Sequence, residues 1–261
     1  MFKAETSLTL VVFLGLVTIS IYLISKGKKG YLPYVRPIAA VESLEEAVGR
    51  AAEMGRPVHF APGSGELDSE YASQTIAGLQ ILAEIARLCA RYDVELIVTL
   101  WKSVSVPICQ EVVRQSYLEE GKIDAYTPEI VRFLSDDQMA YTANAMGLIQ
   151  QREVASNILI GPFYMESLML AEAAHQVGSI QIAGTARMYQ LPFFVAACDY
   201  TLLGEEMYAA GSYIGKDAIR LASIQAIDWA KIVFLAVIIL GAVLETAGVS
   251  IIGDFIKAYG N

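Results

Sequence analysis

Histidine and cysteine are scarce. The 261 residues include two histidines, His59 and His175, and three cysteines, Cys89, Cys109 and Cys198. No CxxC pair occurs and no histidine lies near a cysteine in sequence, which excludes a zinc ribbon, a disulfide framework and a metal box of the usual spacings. A metal site is therefore not expected, and the cysteines read as reduced core residues. Nucleophilic signatures are missing too: no serine sits in a G-x-S-x-G elbow, Cys198 has no histidine partner that spacing nominates, and the glycine-containing loop Pro62-Gly-Ser-Gly lacks both GxGxxG spacing and a Walker lysine. Positive charge is the other deficit. Residues 26–228 carry 16 Lys and Arg against 25 Asp and Glu, a balance of −9. That argues against nucleic acid as a partner, since a phosphate backbone is met by a basic stripe.

What the chain has in excess is apolar residues, 55% of the total. They concentrate at the ends. Thr6 to Ser25 is twenty residues without a charge, and the twenty-two residues between Lys231 and Asp254 contain one charge, Glu245. Both stretches have the length of a bilayer-crossing helix. The first is followed by basic residues and by no small-residue cleavage pattern, unlike a signal peptide. Lys26, Lys28, Lys29 and Arg36 outweigh Lys3, so the positive-inside rule places the intervening residues in the cytoplasm and both termini outside. The expectation is an integral protein of the cell membrane with two spans. Glu245, a carboxylate within a span, is either a functional group or a residue that packs or reaches the interface.

The organisation expected is an anchor at 1–26, a linker at 27–42, a cytoplasmic α/β domain at 43–216, and a stalk helix, second span and short tail at 217–261. Ser43 and Glu46 have capping-box spacing for a first helix. Apolar runs at 57–61, 95–100, 131–135, 157–160, 179–185 and 191–199 read as six strands separated by helices, with Asp136 or Asp137 capping one helix and Asp199 another that covers 200–213. Strands alternating with helices imply a Rossmann-like, mostly parallel sheet with helices on both faces. In such sheets ligands bind beyond the carboxyl ends of the strands.

Candidate ligand-binding residues follow from that rule. Ser64 and Gly65 follow the first strand, where glycines let backbone N–H groups approach an anion; a plain strand-to-helix turn is the alternative. Gly184, Thr185 and Arg187 follow the fifth, where Thr185 could donate to a ligand oxygen and Arg187 pair with an anion, or form a turn and a surface arginine. Asp199 ends the sixth as a crevice carboxylate or a helix cap. His59, inside the first strand, reads as a satisfied structural histidine or a group at the sheet edge. Glu166 and Glu172 stand about 240° apart on a helix, so they do not converge on one cation. No catalytic residue and no cofactor is nominated.

The words Gly49-Arg-Ala-Ala-Glu-Met-Gly-Arg-Pro-Val-His-Phe, Gln181-Ile-Ala-Gly-Thr, Gln190-Leu-Pro-Phe-Phe-Val-Ala-Ala-Cys-Asp-Tyr and Leu203-Gly-Glu-Glu resemble an uncharacterised family of prokaryotic integral membrane proteins, a domain of unknown function. The likeness covers roughly residues 40–231. It implies a family and a membrane location and brings no reaction. Two functions are then expected: a membrane-anchored homo-oligomeric scaffold, favoured by the Met and Tyr residues outside the strands (Tyr164, Met165, Met169, Met188, Tyr189, Tyr208, Tyr213), or a membrane-tethered enzyme or binding module for a nucleotide or small anionic metabolite.

Overall fold

A computed structural model describes residues 4–28, 38–65, 67, 70–214 and 218–246. The chain divides into two compact units: Arg36–Gly215, and Met1–Val35 together with Lys216–Asn261.

The first unit is an α/β sandwich. Its strands are β1 (Val58–Ala61), β2 (Leu96–Leu100), β3 (Val131–Phe133), β4 (Ser156–Ile160), β5 (Ile180–Thr185) and β6 (Tyr200–Leu203). They form one sheet in the order β3-β2-β1-β4-β5-β6, and every neighbouring pair is parallel. This is the order of doubly wound dinucleotide-binding folds, with the chain reversing direction between β1 and β4. Helices α2 (Ala39–Met54), α3 (Ala72–Tyr92), α4 (Val106–Glu119) and α8 (Glu206–Ile214) pack on one another on one face. Helices α5 (Gln138–Arg152), α6 (Glu166–Gln176) and α7 (Leu191–Ala197) cover the other. There Ala61, Leu159 and Ala183 of the sheet meet Tyr141, Ile149, Leu170 and Phe194 of the helices in a fully buried cluster.

Three expectations are corrected. The run Leu191 to Asp199 is not a strand: it forms α7, with Pro192 in its first turn, where a missing N–H costs nothing. The sixth strand is instead Tyr200–Leu203, and the last helix of the unit begins at Glu206. Asp199 therefore precedes β6 rather than following it, and it caps no helix: its carboxylate accepts from the Gln181 N–H (2.8 Å) at the start of β5. Ser43 is likewise no cap, because α2 starts four residues earlier, at Ala39, and the Ser43 hydroxyl donates to Ala40 O. Asp137 does cap α5, accepting from the Ala140 N–H.

One row of buried polar side chains crosses the sheet. The Asn157 amide donates to Gln181 Oε1 (3.3 Å), which leaves Asn157 Oδ1 to accept from His59 Nδ1 (2.7 Å). His59 Nε2 is then the acceptor for the Thr99 hydroxyl (2.8 Å), and Thr99 in turn accepts from Tyr141 (3.2 Å). At the other end Gln181 Nε2 donates to Ala197 O (3.2 Å). The bonds run in one sense from Tyr141 of α5 through β2, β1, β4 and β5, and each ring nitrogen of His59 has one partner. His59 is thus a satisfied structural histidine, in a central strand rather than at an edge.

The second unit holds α1 (Ala4–Lys28) and α9 (Ala218–Thr246), which pack against each other. Among the described residues no helix is long and apolar enough to cross a membrane. The expected spans lie in part outside the described residues. The second continues past Thr246, and the side chains of 4–13 and of Glu245 fall outside as well.

Burial pushes the His59 pKa down from 6.5 to about 4, against a smaller upward pull from its Asn157 hydrogen bond. Between these values the unfolded chain binds a proton that the native chain refuses, so stability is intact above pH 6.5 and falls as the pH drops. The loss is about 1.4 kcal/mol per unit, or about 2 kcal/mol from pH 6.5 to 5. Denaturant titrations of wild type and His59→Gln at pH 7 and pH 5 read this directly. The wild type loses about 2 kcal/mol more than the variant; equal losses would contradict the assignment.

Candidate functional site

The carboxyl edge of the sheet is where the sequence nominees and the reversal point coincide. Two loops meet there, Pro62 to Gly65 after β1 and Gly161 to Met165 after β4. Gly63 (φ 68°) and Gly161 (φ 151°) hold conformations that L residues avoid, and each lies against the other loop's backbone. A Cβ on Gly63 would strike the Pro162 carbonyl, and one on Gly161 would strike that of Pro62. The Ser64 N–H donates to Pro162 O (2.7 Å) across this contact. The Ser64 side chain is 0% exposed and its hydroxyl has no partner among the described residues. Gly65 (φ 64°) turns the loop onward, with its carbonyl accepting from the Ser105 hydroxyl.

Gly184 and Thr185 are the last residues of β5 rather than a turn beyond it. Gly184 is required by packing, since a Cβ there would lie 2.9 Å from Leu202 Cβ of β6. The Thr185 hydroxyl donates to Gln74 Oε1 (3.4 Å) and accepts from the Arg187 N–H (3.2 Å), and Gln74 also accepts from the Ala186 N–H (3.1 Å). Thr185 is therefore a positioning residue: its hydrogen bonds are used to tie the start of α3 to the backbone that carries Arg187.

Arg187 is the unusual group. It is 4% exposed, and its guanidinium carbon lies 3.7 Å from the ring centres of both Tyr71 and Tyr164. Two rings that close leave room only on opposite faces, so the guanidinium plane is sandwiched. Along its edge, Nη1 donates to Phe163 O (3.3 Å), while Nε has no hydrogen-bond partner among the described residues. Among the described residues no carboxylate forms an ion pair with it. Glu166, also buried, is engaged elsewhere, accepting from Gln138 Nε2 (2.6 Å) and the Tyr164 N–H (2.9 Å). Burying a charge without a counter-ion costs several kcal/mol, and two aromatic faces return about 1–2 kcal/mol each at most.

Of the sequence nominees, Ser64, Gly65, Thr185 and Arg187 thus gather at one edge, Gly184 supports it from inside β5, and Asp199 lies at the opposite, amino edge. Tyr71, Gln74 and Tyr164 belong to the site and were missed as such. Tyr71 and Gln74 carried no signal in spacing; Tyr164 stood out only as an aromatic residue outside a strand. Glu172 is on the surface, accepting from Gln176. Among the described residues no group of three or more His, Cys, Asp or Glu side chains is placed to hold a metal.

The edge belongs to a parallel α/β domain of the doubly wound order, with a buried cation at its carboxyl end. The chain belongs to the family described as a domain of unknown function, DUF6754, which matches residues 1–256. The match takes in both terminal helices and so extends beyond residues 40–231. Comparison with curated proteins and with solved structures returns no match.

If the contact between the two glycine loops holds the edge in shape, it is sensitive to one methyl group. Gly161→Ala is expected to destabilise the protein by about 3 kcal/mol or more, through clash and a forbidden backbone conformation. Gly178 also has positive φ (72°) but nothing within 4 Å of a Cβ, so Gly178→Ala is expected to cost about 1 kcal/mol. Thermal unfolding of the two variants tests the contrast.

Proposed function

We propose that the α/β unit is a binding module for a small anionic ligand, held at the carboxyl edge of the sheet by Arg187. The observation that carries this reading is a buried guanidinium with an unpartnered Nε and no carboxylate paired to it among the described residues. The Nε edge of an arginine is the side that carboxylates and phosphates take as a fork. Ser64, whose buried hydroxyl lacks a partner among the described residues, supplies a second donor on the neighbouring loop.

The module is tethered to the cell membrane in this proposal, with α1 and α9 as spans and the α/β unit in the cytoplasm. Support comes from the uncharged run Thr6 to Ser25, from the single charge between Lys231 and Asp254, and from the basic residues that follow the first run. At 1.5 Å per residue, helices of 25 and 29 residues are long enough for a hydrocarbon core of about 30 Å. A second reading, self-assembly as a scaffold, is favoured by the exposed Leu168, Phe193 and Val195 on α6 and α7. Apolar groups on that outer surface are what a subunit contact would cover.

Inorganic phosphate, compared with chloride at equal ionic strength, is expected to raise the melting temperature of the full-length protein by about 3–5 °C at ten times its Kd. Arg187→Lys keeps the charge but loses the planar fork, and removes the shift; Asp199→Asn, at the opposite edge, leaves it intact. A shift unchanged in Arg187→Lys would remove the basis of the proposal. For the tether and the scaffold, alkaline carbonate should fail to strip the chain from membranes, and gently solubilised protein should have a particle mass several times its 28.4 kDa chain mass. Val195→Asp should reduce that mass to one chain. Release by carbonate, or a monomeric wild type, would sink the corresponding reading.

A further inference from the structure

We infer that the ligand of the Arg187 site is an amphiphilic anion, a single phosphate or carboxylate head on a planar apolar body. This rests on the anion reading above and adds the other half of the ligand. The first argument is a count of polar groups. Apart from the tyrosines, the polar side chains near the guanidinium are committed to one another: Thr185 to Gln74, and the Ser167 hydroxyl to Gln190 Oε1 (2.8 Å) and the Tyr164 carbonyl (2.8 Å). Among the described residues, Arg187 Nε and Ser64 Oγ are the buried side-chain atoms of the carboxyl edge that lack a partner. That suffices for one small head group. Beyond the head group, what faces the charge is the rings of Tyr71, Tyr164 and Tyr189, a flat aromatic surface that suits an apolar body better than the ring of hydroxyls on a sugar phosphate.

The second argument is the rim. Both segments that build the sandwich continue at once into exposed apolar side chains. Tyr164 is followed by Met165, 71% exposed, and Arg187 by Met188 and Tyr189, 77% and 58% exposed. The Tyr189 ring lies 5.5 Å from the Arg187 guanidinium carbon, so this rim stands directly at the charge. Methionine is unbranched and polarisable and adapts to a flat aromatic or aliphatic surface. Covering these side chains with an apolar body removes from water the area that a bare anion leaves wet.

The test uses one head group with and without a body: inorganic phosphate and 1-naphthyl phosphate, titrated calorimetrically into the full chain held in discs of zwitterionic lipid. The naphthyl ester is expected to bind at least about tenfold more tightly than phosphate. Met165→Ser with Met188→Ser, both exposed and harmless to the core, should reduce that advantage to about twofold or less while leaving phosphate affinity unchanged. Arg187→Lys should abolish binding of both. Equal affinities in the wild type would overturn the amphiphile inference and leave the anion reading standing. So would an advantage that survives the Met substitutions, or substitutions that alter particle mass and not affinity, which would assign the rim to subunit contact. Failure of both anions to bind the wild type would overturn the two together.

Discussion

The neutral imidazole of His59, held between Thr99 and Asn157 in the middle of the sheet, is the constraint from which the rest of this domain follows. It sits on β1 beside β4, the two strands at which the chain reverses direction, and it bonds to one strand on each side. A slip of one residue in any of these strands would turn His59, Asn157 or Gln181 to the opposite face, away from the partners that satisfy it here. Each orphaned group would cost about 1–3 kcal/mol. The register is therefore fixed by polar complementarity in addition to apolar burial, and the register sets the carboxyl ends of β1, β4 and β5 level with one another. Only then do the glycine loops meet, and only then does Arg187, two residues beyond β5, lie between Tyr71 and Tyr164.

Arg187 and the polar row are also joined through aromatic contacts. Tyr141, which begins the row, stacks on Trp101 at 6.4 Å between ring centres, and Trp101 meets the Tyr164 ring edge-on at 6.0 Å. The guanidinium is thus clamped by a residue whose own position is set from the core. In the proposed role such a clamp would favour recognition, because a cation already desolvated and oriented pays little further ordering cost when an anion arrives. The same burial explains why the group is costly to the protein alone.

Much of this was legible from residues alone. Val58–Ala61, Leu96–Leu100, Ser156–Ile160 and Ile180–Thr185 are short apolar runs with Gly, Pro or Thr at their ends, and buried parallel strands leave that trace. Val131–Phe133 was weaker but followed the same alternation. The run at Leu191 misled because seven apolar residues fit a buried strand and a short helix equally well, and Pro192 was the deciding mark for a helical first turn. Tyr200–Leu203 has strand-favouring residues but is only four residues long and follows the apolar run directly, so it was absorbed into the segment after it. That one exchange moved Asp199 from one edge of the sheet to the other. Arg187 and Ser64 were found by the rule of strand carboxyl ends, while the tyrosines that enclose the arginine come from distant parts of the chain. Strand order brings them together, and strand order leaves no mark in a single sequence.

The most direct test of the account is the Arg187 Nε–H itself, followed by NMR in full-length protein labelled at arginine nitrogens and assigned with Arg187→Lys. On addition of inorganic phosphate its resonance should shift downfield and its exchange with water should slow about tenfold or more, saturating at one phosphate per chain. A resonance unmoved at phosphate concentrations that shift other arginines would mean that the buried guanidinium is a structural group, and that the edge is not an anion site.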